Sequence, residues 1–291
     1  MWPIVVDNKF KNDPDHTCAD LELIKYAKNH CTKEMQKYLF LHRQRLAPLI
    51  DDIWRWELID EEVEVAQRSR LEGLMAAARS PCVCNGRWIN YVVQSFLANG
   101  IAVGELCTDV KRLLVQGRSE TTPVLVMAGT LGGEGKSFFL KPLKAVYGST
   151  HVFNMPTPAG NFPLIDLPGS KVVFLDDWRF SECVLPFSAQ CLWYDGSDLP
   201  LARPQNQRGI SGHTIYKGTA PIFATTKLDF LERLQESAAV DEVTGEPLNT
   251  EASMLWRRLK VYTFRHRVPK PDAHIKYCGC CFARLILEQS A

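Results

Sequence analysis

The stretch Gly129-Thr-Leu-Gly-Gly-Glu-Gly-Lys-Ser137 places a lysine and a hydroxyl directly after a run of glycines. Glycine lets a backbone approach an anion closely and turn its N–H groups toward it. A lysine there offers a cation to the β- and γ-phosphates of a nucleotide, and the hydroxyl offers a ligand to Mg²⁺. The candidate phosphate cradle is therefore Gly129, Thr130, Gly132, Gly133, Glu134, Gly135, Lys136, Ser137 and Phe138. ATP and Mg²⁺ are its expected occupants, with Lys136 catalytic and Ser137 on the metal. The common P-loop spacing wants a glycine where Thr130 stands, and Gly129 lies one place earlier.

A second group is Lys171-Val-Val-Phe-Leu-Asp-Asp177, four apolar residues ending in two carboxylates. About forty residues after a P-loop, this pattern reads as a buried strand that delivers carboxylates beside the loop. Asp176 is expected in the Mg²⁺ shell, and Asp177 is expected to orient or activate the attacking water. A third apolar run, Ala220-Pro-Ile-Phe-Ala-Thr-Thr-Lys227, ends in polar residues in the same way.

These groups need elements to hold them. Val124 to Ala128 is apolar throughout, which suits a strand covered on both faces, and a helix should open at Lys136. The front third is mostly helical. Leu21, Ile24, Ala27, Cys31, Met35 and Leu39 recur three or four apart, a second block follows Pro48, and Trp88–Leu97 and Val103–Val115 complete it. Residues 1–16 read as an irregular lead-in, 186–194 as a helix, and Pro200–Lys217 as a hairpin with a basic tip. Residues 237–252 read as an exposed loop, and Trp256–Phe264 leaves a helix and enters a strand. The expected architecture is α/β: a parallel-sheet P-loop core at 86–268, a helical region at 1–85 and a cysteine-containing tail at 269–291. The helical region either packs on the core or serves oligomerisation.

The bulk numbers narrow the classes. The 291 residues are 46% hydrophobic and 23% charged, an ordinary globular composition. A formal charge of +1 rules out a uniformly basic nucleic-acid coat, so any nucleic-acid contact must be local. No apolar run is long enough to span a bilayer, so no membrane partner is expected. The first residues lack a signal-peptide pattern, so an intracellular location is expected, the nucleus included. Ten cysteines in that setting should be reduced rather than a disulfide framework.

The ordered motifs at roughly 88–268 resemble the superfamily 3 helicases, the AAA+ ATPases of parvoviral Rep and non-structural replication proteins. Gly135-Lys136-Ser137 is similar to the family's Walker A motif, and Lys171 to Asp177 to its Walker B motif. Asn161-Phe-Pro163 is similar to an Asn-Phe-Pro ahead of Walker B. Pro221 to Lys227 resembles the sensor strand, with Lys227 where the family has asparagine. Arg203 to Lys217 lies where the family carries its basic hairpin, and Arg258 where it carries an arginine finger. The resemblance implies ATP hydrolysis between the subunits of a homo-oligomeric, usually hexameric ring. Arg258 would reach a neighbour's ATP, Lys227 would act as sensor, and Arg208, His213 and Lys217 would grip single-stranded DNA. The nicking domain's His-apolar-His motif is absent from the sequence.

Two alternatives stay open. One is a non-hydrolysing, nucleotide-bound scaffold or DNA-binding relic of such a helicase. The other is a P-loop kinase, which leaves the hairpin and sensor strand unexplained. In the tail, Cys278 and Cys281 have zinc-type spacing, with His274 upstream and Cys82 and Cys84 elsewhere. Buried, reduced thiols are the favoured reading there, ahead of zinc.

Overall fold

The computed structural model describes residues 1–11, 19–130, 132–154, 162–179, 185–202, 213–240, 248–270 and 275–290. The chain divides into two compact units, Met1–Gln67 and Arg68–Ala291. The sequence reading places its boundaries at 85 and 268 instead.

The first unit is helical: α1 (Trp2–Asp7), α2 (Ala19–His30), α3 (Lys33–Leu41), α4 (Leu46–Glu57) and α5 (Ile59–Gln67). Its core is Val5, Leu23, Ala27, Leu39, Leu46, Ile50 and Ile53. The lead-in read as irregular contains α1, because Val5 has this core to fill. The long apolar stripe from Leu21 to Leu39 is two helices, broken where Thr32 caps α3 by accepting the Met35 N–H. Leu23 rather than Leu21 faces inward.

The second unit begins with α6 (Arg70–Arg79), α7 (Arg87–Ala98) and α8 (Val103–Gln116). It continues through β1 (Val124–Gly129), α9 (Lys136–Leu140), α10 (Leu143–Tyr147), β2 (Val152–Asn154), β3 (Val172–Leu175) and α11 (Phe187–Asp195). Then come β4 (Leu199–Ala202), β5 (His213–Tyr216), β6 (Ile222–Lys227), α12 (Leu228–Ser237), α13 (Thr250–Trp256), β7 (Leu259–Phe264) and α14 (Gly279–Gln289). Five strands form one sheet in the order β2-β3-β6-β1-β7, and every pairing in it is parallel. β4 and β5 pair antiparallel as a separate hairpin. This is an α/β core built on a parallel sheet, as the motif order implies, with helices on both faces of that sheet.

Alternation along the strands builds the two faces. Leu125 and Met127 point into a core shared with Phe174, Phe223 and Phe264 and with helices α6 to α9 and α14. Val124, Val126 and Ala128 point the other way, into a core with Val173, Ile222, Trp193, Leu231 and the hairpin residues Leu199, Leu201 and Tyr216. Covering both faces is why β1 is buried at every position. Among the described residues, no helix is long and apolar enough to cross a membrane.

The expected tail contains a core helix. In α14, Cys280, Phe282, Ala283, Leu285 and Ile286 are buried in the first of these cores. Phe282 and Trp88 both pack on Phe139 of the P-loop helix, with ring centroids 5.4 and 6.3 Å away. Trp88 also donates its indole N–H to the Phe138 carbonyl at 3.2 Å. Trp88→Ala should therefore leave a cavity directly under α9 and destabilise the chain by about 3–5 kcal/mol. Urea unfolding checks this, and a loss below about 1 kcal/mol would mean that α9 is held from elsewhere.

Candidate active site

Because β1, β6 and β3 run parallel, their C-terminal ends open on one edge of the sheet. Gly129 at the end of β1 is in register with Lys227 at the end of β6, and Leu175 of β3 with Ala224 of β6. The carboxylate strand is thus one strand away from the P-loop strand, with β6 between them. Thr225 of β6 spans that gap: its hydroxyl donates to Asp176 Oδ1 at 2.6 Å and accepts the Asp177 N–H at 3.1 Å. From the loop side, Ser137 Oγ donates to the same Asp176 oxygen at 2.6 Å.

Immediately after, Asp177 takes a left-handed backbone, φ 53°, which is uncommon for a residue with a Cβ. The turn is fastened to β6 from both sides. Trp178 donates its N–H to the Thr225 carbonyl at 2.7 Å, and Thr226 Oγ1 donates to the Trp178 carbonyl at 2.5 Å. Buried Trp178 locks the corner by packing edge-on against Phe230, 5.5 Å between centroids. The turn leaves the Asp177 carboxylate exposed, 3.5 Å from Arg179.

The loop shows why Thr130 is tolerated where a glycine is common. The close approach occurs one residue earlier: a Cβ on Gly129 would sit 2.1 Å from Lys136 Nζ. Gly132, Gly133 and Gly135 supply the positive φ angles of 83, 81 and 97° that wind the loop. Ser95 of α7 holds it from behind, donating to the Glu134 carbonyl at 2.7 Å.

Lys136 lines the cleft, but its ammonium is already engaged. It is buried against Glu134, Nζ to Oε2 2.8 Å, and Glu134 itself has no exposed surface. The other Glu134 oxygen accepts the Gly132 N–H at 2.9 Å. The carboxylate thus holds two of the donor types, a lysine ammonium and a loop N–H, that a phosphate would use.

The cleft encloses about 220 Å³ between Tyr91, the glycine loop, Ser137, Phe138, the two aspartates, Thr225 to Lys227, and Lys270. Lys227 Nζ lies 3.9 Å from where a Gly132 Cβ would be, so its charge reaches the loop. Tyr91 meets Phe138 edge to face at 5.5 Å, and Lys270 Nζ stands 4.4 Å from the Phe138 ring centre. Burial pushes the Tyr91 phenol up, which keeps it neutral, and it donates to the Val268 carbonyl at 3.3 Å.

The structure therefore brings Gly129, Gly132, Gly133, Gly135, Lys136, Ser137, Phe138, Asp176, Asp177 and Lys227 around one edge. Sequence reasoning assigned no role to Tyr91, Thr225 or Lys270. The first lies in an ordinary amphipathic helix and the last follows a strand, so neither carries a local signal. Thr225 could have been found, since it occupies a strand end beside the expected carboxylates.

Arg258 lies elsewhere. It precedes β7, and its carbonyl accepts the Val124 N–H at the opposite end of the sheet from Gly129. Six strand residues separate the two ends, about 20 Å. Its guanidinium grips Asp195 through two bonds, Nε to Oδ1 at 2.5 Å and Nη2 to Oδ2 at 2.6 Å. That pairing raises its pKa above the usual arginine value. Neighbouring Arg257 is exposed.

In the hairpin, Arg203 and Arg208 lie outside the described residues, as does Asn161. His213 starts β5 opposite Ala202, toward the tip. Lys217, read from sequence as part of the basic tip, is instead at the hairpin's base, because Tyr216 before it is already paired with Leu199. There it is exposed and 3.5 Å from Asp198.

Compared with known proteins, the chain matches no family model and no curated protein. Solved structures give low likenesses. The apo C-terminal region of NrS-1 has a TM-score of 0.41 at 13% identity, over 70% of this chain and 42% of that one. The X-ray structure of JCV helicase has a TM-score of 0.42 at 14% identity, over 100% of this chain and 87% of that one. The chain thus spans under half the length of the NrS-1 region.

Glu134 competes for the groups that would hold a phosphate. Glu134→Gln should free Lys136 and tighten pyrophosphate binding about five- to tenfold, the worth of one charge-assisted bond. Isothermal titration checks this. Unchanged or weaker binding would mean that the carboxylate supports the loop rather than blocks it.

Proposed function

We propose that the chain is a P-loop nucleoside triphosphatase that uses ATP and Mg²⁺ and works as a helicase or translocase on single-stranded DNA. One observation carries the reading. Ser137 and Asp176 meet at 2.6 Å between the loop of Lys136 and the strand ends of Asp177 and Lys227.

The residues fit the cofactor pair. A hydroxyl and a carboxylate are hard oxygen donors of the kind Mg²⁺ takes, so Ser137 and Asp176 would hold it. When bound, the ion neutralises charge on the β- and γ-phosphate oxygens. The glycine loop turns N–H groups toward the same place, and Lys136, once released from Glu134, adds a cation. Asp177 stands one residue past the metal-side carboxylate, exposed to water, and is the group suited to accept a proton from the attacking water. Lys227 beside the loop serves as the sensor. Tyr91 and Phe138 offer aromatic surface at the rim.

Arg258 cannot serve its own chain's cleft from the far end of the sheet. A role at a phosphate requires a second copy, in keeping with the homo-oligomeric ring that the family resemblance implies, and it requires the Asp195 pair to open. The β4–β5 hairpin, with His213 at the start of β5, is the candidate DNA contact, and Arg208, outside the described residues, falls between the two strands in the sequence. Lys217 would contribute only at the base.

A second reading is a nucleotide-bound scaffold that does not hydrolyse. The Lys136–Glu134 pair and a lysine in place of the sensor asparagine favour it. An ATPase assay with and without single-stranded DNA separates the two. Under the first reading, Lys136→Ala should cost at least about a hundredfold in turnover. Asp177→Asn should keep ATP binding while lowering turnover at least about a hundredfold, because an amide cannot take the water's proton. Tight ATP binding by the wild type with no turnover under any condition would leave the scaffold.

A further inference from the structure

Four cysteines from two distant segments converge in the second unit. Cys82 and Cys84 lie between α6 and α7, and Cys278 and Cys281 lie at the start of α14. Their sulfurs all lie within 4.8 Å of one another. Cys82 is 3.7 Å from Cys84, 3.4 Å from Cys281 and 4.0 Å from Cys278, and Cys84 is 3.4 Å from Cys281. We propose that Cys82, Cys84, Cys278 and Cys281 form a structural zinc site.

The distances discriminate between chemistries. Four sulfurs placed tetrahedrally at about 2.3 Å from zinc are about 3.8 Å apart. The observed separations scatter around that edge, and none approaches the roughly 2.05 Å of a disulfide. Packing alone would let buried thiols point in different directions, as Cys280 does: its sulfur turns away to the Ala78 carbonyl at 3.7 Å. The four candidates instead aim at one point. Cys84, Cys278 and Cys281 are buried, which suits a closed site that holds structure rather than an open one that activates water.

Backbone groups around the sulfurs fit the same role. The Cys82 sulfur accepts the N–H groups of Gly86 and Cys84, and the Cys84 sulfur accepts the N–H of Trp88. Such donors stabilise thiolate charge and orient the ligands. The site would tie α14 to the start of α7, next to Trp88 and Phe282 where they pack under the P-loop helix. It needs neither ATP nor any residue of the cleft.

The test uses the intact chain, purified without chelator from zinc-supplemented culture. Elemental analysis should find about one zinc per chain. Co²⁺ taken up in its place should show the strong thiolate-to-cobalt absorption of sulfur ligation. The double change Cys82→Ser with Cys84→Ser should lower bound zinc at least about tenfold, while Cys280→Ser should retain it. If the double variant does not fold, the zinc content of the wild type and of Cys280→Ser still decides. Less than about a tenth of a zinc per chain in the wild type, with no thiolate–cobalt band, would overturn the site. So would iron in its place, or a disulfide among the four cysteines in intact-mass analysis.

Discussion

Strand β1 has no exposed residue, and both of its edges are hydrogen-bonded, to β6 on one side and β7 on the other. Everything at the site follows from that constraint. A strand closed on four sides can present chemistry only at its end, so the glycine loop must leave at the carboxyl edge of the sheet. Parallel neighbours then deliver their own ends to the same edge. Lys227 arrives by register with Gly129, and Asp176 arrives one strand further out.

The intervening β6 is more than a spacer. Thr225 joins the carboxylate turn to the sheet, and the Ser137 hydroxyl joins it to the loop, both through one oxygen of Asp176. The left-handed backbone at Asp177 is held in place by the bonds of Trp178 and Thr226 to this strand. Strain of this kind persists where the surroundings over-determine it. Here the surroundings are the bonds to β6, whose end lies beside the candidate chemistry.

A second dependence runs beneath the loop. The P-loop helix α9 is five residues long, too short to be stable by itself. It rests on Trp88, Phe96 and Phe282, which come from α7 and α14. The geometry of Lys136 and Ser137 is therefore set by helices whose sequences say nothing about phosphate. The cysteine cluster joins those same two helices at their starts.

The motifs were legible in the sequence because their physics is local. Gly-Lys-Ser after an apolar run, and an apolar run ending in Asp-Asp, are fixed by backbone freedom and by which residues can be buried on both faces. They sufficed for the parallel sheet, for the loop, and for Lys136, Ser137, Asp176, Asp177 and Lys227 as one group. Only the tertiary structure decided what depends on distant partners. The face that α2 buries, the helix at the first residues and the burial of α14 each depend on a core assembled from elsewhere. Lys136 is paired with Glu134 because the loop closes on itself. Arg258, just before β7, is paired with Asp195 because the fold brings the last residue of α11 to it, and Lys217 is placed at the hairpin's base by strand register. Cys82 and Cys281 are 199 positions apart in the chain and 3.4 Å apart in space. No spacing rule reads across that separation, because the fold and not the chain brings the sulfurs together.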